Sequence, residues 1–270
     1  MNDIWIIAGD KIEMNVITLK QKLLRSELAL GSWITLAHPA IAEIMSKAGF
    51  DWLAVDMEHS VITIREAEEL IRVIELCGVT PLVRLTSNDR DQIKRVMDAG
   101  AKGIIVPMVN NQEEAEKAIA AVYYPNKGNR GIGLARAQGY GAKFTDYLDW
   151  QKDGPIVITQ IEHVRAVENI ESILSVNGVD GYFLGPYDLS GSMGISGQFD
   201  HPEFLGAVNK VKTVAKKMNK PGGIHIIEPD LNELTARINE GFKFIAYSLD
   251  IRMLDVASRL ACKQVKAIIE

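Results

Sequence analysis

The chain has 270 residues, 47% of them hydrophobic and 24% charged, with a formal net charge of −5. That balance is ordinary for a globular protein able to bury a large core, and the mild acidity argues against a nucleic-acid surface. No segment reaches the roughly 20 consecutive apolar residues that cross a membrane, and no block of like charge or low-complexity tract interrupts the chain.

Residues 1–14, MNDIWIIAGDKIEM, differ in pattern from the rest of the chain and lack the charged start and long apolar core of a signal peptide. They are expected to be an extension, with Met14 the natural initiator, and residues 15–270 to form one domain. Beyond them, short β-type runs alternate with amphipathic helical runs eight times over. Strands are predicted at 31–36, 52–58, 81–86, 103–109, 156–162, 181–186, 223–227 and 242–248. They are nearly continuous apolar runs, as in strands covered on both faces. Between the second and third strands, Ile64, Ala67, Leu70, Ile71 and Ile74 recur at helical spacing. Gly49, Gly78, Gly100, Gly178 and Gly241 stand where helices should close, a position that favours left-handed backbone. Eight such units without a composition break predict an α/β fold, a (β/α)8 TIM barrel of one domain. A doubly wound sheet is the alternative, because strand order is not readable from one chain. The irregular stretch 125–150 is expected to cover the barrel mouth or make a subunit contact. Cys77 and Cys262 fit no zinc spacing and are expected to be buried free thiols of a cytoplasmic protein.

A barrel of this kind carries its chemistry at the carboxyl ends of the strands. The polar residues predicted there are Asp56, Glu58 and His59, Arg84 and Thr86, Gln160 and Glu162, then Asp188, Glu228 and Asp250. Strand parity puts Gln160 and Glu162 on one face and Arg84 with Thr86 on another. Glu162 and Asp188, on successive strands, could share one hard divalent cation, with the Gln160 amide completing an oxygen site of magnesium or manganese type. A plain interior ion pair between Glu162 and Arg84 is the competing expectation. His59 follows a strand end as a base would, and Asp56 could orient its ring; a capping or packing histidine is the alternative. His38 and His201 precede prolines at helix starts, His163 has the parity of the barrel wall, and His225 lies inside a strand. Lys102, Lys220 and Lys243 sit at strand starts, the wrong end for an imine-forming enzyme, which favours a metal-stabilised enolate. The loops after strands seven and eight lack a phosphate-cradling glycine turn.

The segments GFDWLAVDMEH, PLVRLTSNDRDQIKRVMDAGAKGIIVPMV, ITQIE, VDGYFLGPYDLSGSMG and HPEF resemble the HpcH/HpaI aldolases in family order, over about residues 17–260. These are class II, pyruvate-dependent hydroxy-keto-acid aldolases, including those acting on 2,4-dihydroxyhept-2-ene-1,7-dioate and on 2-keto-3-deoxy sugar acids. The resemblance implies a divalent metal (magnesium or manganese, with cobalt a third choice) held by Glu162 and Asp188 and chelated by pyruvate. It implies that Arg84 holds the keto or enolate oxygen, and that His59, paired with Asp56, acts as the base or activates water as the base. Gln160 would line the metal site, the turn of Gly185, Pro186, Tyr187 and Asp188 would hold the pyruvate carboxylate through the backbone N–H groups it has, and Trp33 would be an aromatic at the mouth. It also implies a homo-oligomer, often a hexamer, built by exchange of the last helix around 252–266. The chain departs from the family pattern at Met57, at His163, in the loop leading to Leu134, Ala135 and Arg136, and at Tyr187, which is expected to narrow the pyruvate end. The expected activity is reversible cleavage of a 4-hydroxy-2-oxo acid to pyruvate and an aldehyde. An oxaloacetate decarboxylase or macrophomate-synthase-like lyase using the same enolate is the rival, and a non-catalytic keto-acid-binding barrel is the alternative of another class.

Overall fold

Helix starts in this chain carry side chains that accept from their own first turn. Thr63 Oγ1 accepts from the Glu66 N–H while Glu66 Oε2 accepts from the Thr63 N–H, a reciprocal capping box that Thr18 and Gln21 repeat. Asp89, Asn111 and Asp230 also accept from their own first turns, without the reciprocal bond. All five glycines expected to close helices have positive φ. These local signals cut the chain into its alternating units.

The computed structural model describes residues 17–269; the expected extension over residues 1–14 lies outside them. The strands are β1 (Ala29–Ile34), β2 (Trp52–Asp56), β3 (Thr80–Arg84), β4 (Gly103–Val106), β5 (Ile156–Ile161), β6 (Gly181–Leu184), β7 (Gly222–Ile226) and β8 (Phe244–Leu249). The helices are α1 (Leu19–Leu24), α2 (Pro39–Ser46), α3 (Ile64–Leu76), α4 (Arg90–Ala99), α5 (Gln112–Val122), α6 (Phe144–Asp153), α7 (Val164–Glu168), α8 (Ile170–Ser175), α9 (Pro186–Ser192), α10 (Pro202–Lys217), α11 (Leu231–Asn239) and α12 (Asp250–Ile269). All strand pairs are parallel, in sequence order, and β8 returns to β1. The sheet is therefore a closed (β/α)8 barrel, and the doubly wound alternative is excluded.

Two apolar layers hold it. Outside the sheet, Val55, Val83, Ile104, Val157 and Leu184 meet the helices. Inside, Trp52 stacks on Phe244 with ring centroids 4.2 Å apart, and Leu19 and Leu23 of α1 plug the amino-terminal end. Gly31 is obligatory in β1, since a Cβ there would sit 2.0 Å from the Trp52 ring. Asp56, Arg84 and Gln160 continue the same strand faces as these inner residues, so the pleat carries them into the mouth.

Two expectations are corrected. The 125–150 stretch comes after α5, which ends at the amino-terminal side of the barrel, so it does not cover the mouth of its own chain. It runs along α4 instead: Arg90 Nη2 donates to Asn129 O (2.8 Å), and Arg136 Nη1 donates to Ala99 O (2.9 Å). Both cysteines are exposed, because Cys77 caps the end of α3 and Cys262 lies on α12. In α12, which meets β8 and β1 near its start, Asp250 is the one buried residue among those described.

Candidate active site

The mouth is organised by Asp56 and Arg84, which face each other across the β2–β3 register. Arg84 Nε donates to Asp56 Oδ1 (2.9 Å) and Nη2 to Oδ2 (2.6 Å), a two-pronged charged contact. Beneath it lies the Trp33 ring, with the guanidinium carbon 4.3 Å from the ring centroid. Asp56 is 1% exposed, and its Oδ1 also accepts from the N–H groups of Glu58 (3.0 Å) and His59 (3.2 Å). Asp56 thus shapes the turn after β2 and fixes Arg84; its hydrogen bond with His59 is through the backbone N–H.

The His59 side chain is 64% exposed, and its Nε2 lies 3.8 Å from Glu58 Oε2. The same oxygen is 3.5 Å from Arg84 Nε. It is buried and accepts no hydrogen bond. Burial pushes the Glu58 carboxyl up to about 7; Arg84 opposes the shift, and Glu162, Asp56 and Asp188 add to it.

Across the mouth, Glu162 Oε1 accepts from the Met108 N–H (2.5 Å) and Oε2 from Gln160 Nε2 (2.7 Å). Met108 has φ +53°, left-handed backbone that is uncommon for such a residue, and that turn aims its N–H at the carboxylate. Burial pushes Glu162 up; the two hydrogen bonds oppose this, and the charge of Asp188 adds to it. Asp188 lies in the first turn of α9, directly after β6. Gly185 permits this approach, since a Cβ there would stand 2.8 Å from Glu162 Cβ. The expected Glu162–Arg84 ion pair is not formed; each has the other partners named.

These residues fit a divalent cation. The charge of Asp188 raises the proton affinity of Glu162, and beside Glu162 Gln160 Oε1 is buried without a partner. The donors are hard oxygens, as magnesium or manganese requires. Among the described residues no three His, Cys, Asp or Glu side chains come together as a metal-holding group, so the fit rests on two carboxylates and one amide.

Other expected residues fall differently. Trp33 is 1% exposed, a floor under Arg84 rather than an aromatic at the rim. Tyr187 turns its ring against Phe199 (5.0 Å between centroids). It lines a cavity of about 710 Å³ between α10 and α11. A smaller cavity, about 250 Å³, opens beside Glu58, Thr86 and Met108 and adjoins the site itself. The Tyr187 and Asp188 N–H groups belong to the first turn of α9, where no intrahelical acceptor exists for them. His38, His163 and His201 cap helices, each Nδ1 accepting from the N–H two residues on. Glu228 pairs with Arg252, and Asp250 binds backbone at the end of β1.

Two residues that the fold brings to the site have no role in the sequence reading. Glu58 is one, although it lies two residues after Asp56 at the same parity. His225 is the other: it projects into the barrel, 5.8 Å from the Trp33 ring, with Nε2 3.3 Å from Ser248 O. Burial and then Arg84 depress it to about 4. Its alternation with outward-facing Ile224 and Ile226 was the available signal.

The chain is similar to known proteins over most of its length. Residues 29–255 match the family model described as HpcH/HpaI aldolase/citrate lyase. A hydroxypyruvate/pyruvate aldolase of Sagittula stellata is 39% identical, over 88% of this chain and 94% of its own. A 4-hydroxy-2-oxo-heptane-1,7-dioate aldolase of Salmonella dublin is 38% identical, over 83% of this chain and 85% of its own. The crystal structure of a HpcH/HpaI aldolase/citrate lyase family protein from Burkholderia cenocepacia superimposes with a TM-score of 0.86 at 31% identity, covering 92% of this chain and 98% of that one.

Proposed function

This chain belongs to the HpcH/HpaI aldolase/citrate lyase family and is an aldolase; we propose that it reversibly cleaves a 4-hydroxy-2-oxo acid to pyruvate and an aldehyde. The observation that carries this reading is the opposition of two assemblies across one mouth. One is the Glu162–Gln160–Asp188 oxygen set, and the other is Arg84 locked by Asp56 and Trp33.

Glu162 and Asp188, with Gln160 beside them, would hold a divalent metal; when bound it supplies Lewis-acid polarisation of the keto acid's oxygens. The chain's own side chains do the rest. Arg84 Nε and Nη2 are occupied by Asp56, so Nη1 is the prong turned to substrate. It meets the C2 oxygen, where negative charge grows as the C3–C4 bond breaks. A donor fixed in place before the charge develops is the largest single contribution such a site makes, worth about 3 kcal/mol. His59, at the open side, takes the proton from the C4 hydroxyl, the aldehyde departs, and the same proton returns to C3 of the enolate. First-turn N–H groups of α9 receive the pyruvate carboxylate.

The described residues contain no helix long and apolar enough to cross a membrane. We place the enzyme in the cytoplasm, where its two free cysteines stay reduced. We also assign it a homo-oligomeric state, a hexamer by family resemblance, in which α12 packs on a partner rather than on its own barrel.

The test is pyruvate release from a panel of 4-hydroxy-2-oxo acids with and without chelator, with magnesium, manganese or cobalt added back. Activity is expected to vanish with chelator, to return with metal, and to be abolished in Glu162→Ala. Turnover that survives metal removal, or a Glu162→Ala protein with full activity, overturns the assignment. Decarboxylation of oxaloacetate with no cleavage of any panel member moves it to the rival lyase.

A further inference from the structure

The cavity of about 710 Å³ between α10 and α11 has no part in the reaction as assigned above. Neighbouring helices around a barrel interlock their side chains, ridge into groove. Here α10 leans on α7 and α8, while α10 and α11 face each other across the gap. Leu205, Val208 and Lys212 line it from α10 at helical spacing, and Glu233, Arg237 and Glu240 line it from α11. Phe199, Phe204, Ile224 and Phe242 supply apolar and aromatic wall. The charged link across the gap is loose: Lys212 Nζ lies 3.8 Å from Glu240 Oε2, beyond hydrogen-bond reach, and 5.3 Å from the centre of the Phe242 ring. Arg237 gives Nη1 to Glu240 (2.8 Å) and Nη2 to Glu233 (3.4 Å), but its Nε is buried without an acceptor. Among the described residues, Arg237 is the one member of this lining with a buried polar side-chain atom left unfilled, and that atom is a donor. An unfilled buried donor is costly.

We propose that this cavity is a second ligand site, separate from the mouth, for a carboxylate carried on an aryl-alkyl body. Its volume falls in the range of small-molecule pockets, roughly 300–1,000 Å³. The aromatic walls suit a ring. Lys212 Nζ and Arg237 Nε supply the free donors, which a carboxylate fills with charge-assisted hydrogen bonds. A ligand amine is disfavoured, because it would set a third cation beside these two. The cavity also borders the catalytic machinery. Tyr187 lines it, with its ring 5.0 Å from Phe199, and Phe199 in turn lies 5.5 Å from Phe204. Tyr187 directly precedes Asp188 in the first turn of α9. A ring lodged beside Phe199 therefore bears on the turn assigned to metal and pyruvate. That link rests on the aldolase reading above; the site itself does not.

The experiment is calorimetric titration of the full chain, loaded with magnesium and saturated with pyruvate so that the mouth is occupied. The probes are 4-phenylbutyrate and its neutral counterpart 4-phenylbutan-1-ol. The carboxylate is expected to bind once per chain with a Kd of about 0.5 mM or tighter, and the alcohol about tenfold more weakly. Lys212→Met is expected to remove that preference while pyruvate methyl-proton exchange in D2O, read by NMR, stays within about twofold of the parent. Val208→Trp fills the cavity and is expected to abolish binding of both probes with the circular dichroism spectrum unchanged; Leu205→Trp replaces it if that variant does not fold. Withholding pyruvate is expected to shift the 4-phenylbutyrate Kd by about threefold or more, as reciprocal coupling requires, and Phe199→Ala to erase the shift. No binding by the parent, equal binding of the two probes, or binding that a folded cavity-filling variant leaves intact each overturn the site. A Kd indifferent to pyruvate overturns the link to α9 alone. A parent that exchanges no pyruvate protons overturns the aldolase reading, while the titration, which needs no turnover, still decides the site.

Discussion

His225 shows how one side chain inside the barrel sets a limit on the whole molecule in acid. Its ring lies against Trp33 and reaches Ser248 O, and burial holds it neutral with a pKa of about 4 against an ordinary 6.5. Arg84 opposes its charging and Asp56 weakly favours it. A depressed folded value means the neutral ring contributes stability in full above pH 6.5, and that stability is lost as pH falls toward 4. Linkage sets the loss at roughly 3 kcal/mol. His225→Gln keeps a polar end for Ser248 O but does not titrate. Between pH 7 and pH 4 the variant is expected to lose about 3 kcal/mol less than the parent, measured from urea unfolding at the two pH values. Parallel losses would show that His225 is not the acid-sensitive group. The residue also marks where one-dimensional reading stops at the site. Arg84, Glu162, Gln160 and Asp188 were legible because strand parity and position at a strand end are one-dimensional facts. The contact of Asp56 with Arg84 was not legible, because it is decided by cross-strand register, which appears only after β2 and β3 pair.

At the scale of elements, the barrel closes where β8 meets β1, and Asp250 is the fastener. Its Oδ2 accepts from the N–H groups of Thr35 and Leu36, both at 2.8 Å, and Oδ1 accepts from Thr35 Oγ1 at 2.6 Å. The residue was predicted among the mouth groups, but its hydrogen bonds all go to the seam and to Ile251 N. The seam needs it because the β1–β8 register shifts between Gly31 and Trp33, so regular ladder bonds do not run its full length. Asp250→Ala leaves two backbone N–H groups without their acceptor and is expected to cost about 2–4 kcal/mol. The Thr35 and Leu36 amides should then exchange with solvent markedly faster, while those of β4 and β5 exchange as before. Uniform acceleration across all strands would instead mean the barrel opens only as a whole. Element order and type were readable because eight apolar runs alternate with helical periods and capping residues. Strand ends were less so: β4 was predicted to 109 and stops at Val106, since Met108 turns into left-handed backbone to meet Glu162. The contact that ends the strand is 54 residues away in sequence, beyond the reach of any local pattern.

At the scale of the molecule, α12 is an apolar surface without an owner. It has 20 residues, about 30 Å of helix. Leu254, Leu260, Val265 and Ile268 along it are each more than half exposed. The neighbouring α11 has no buried residue, although Leu234 and Ile238 face the barrel. Apolar side chains left facing water in this way are what an interaction surface presents. The proposed exchange of α12 between copies would cover them, and exchange is symmetric, so it would close on itself as stable homo-oligomers do. Because Leu254 and Leu260 are 57% and 53% exposed within their own chain, replacing both with aspartate removes little intramolecular packing. The double variant Leu254→Asp/Leu260→Asp is therefore expected to fall to a monomer in light scattering at micromolar concentration while keeping its circular dichroism spectrum. Its metal-dependent turnover then tells whether the mouth is complete within one chain: retained activity means that His59, Arg84, Glu162 and Asp188 suffice, and lost activity in a folded monomer means that a neighbouring copy finishes the site. A parent protein that is already monomeric, or a variant that stays assembled, would remove α12 from the interface and leave its apolar face to be covered by something else.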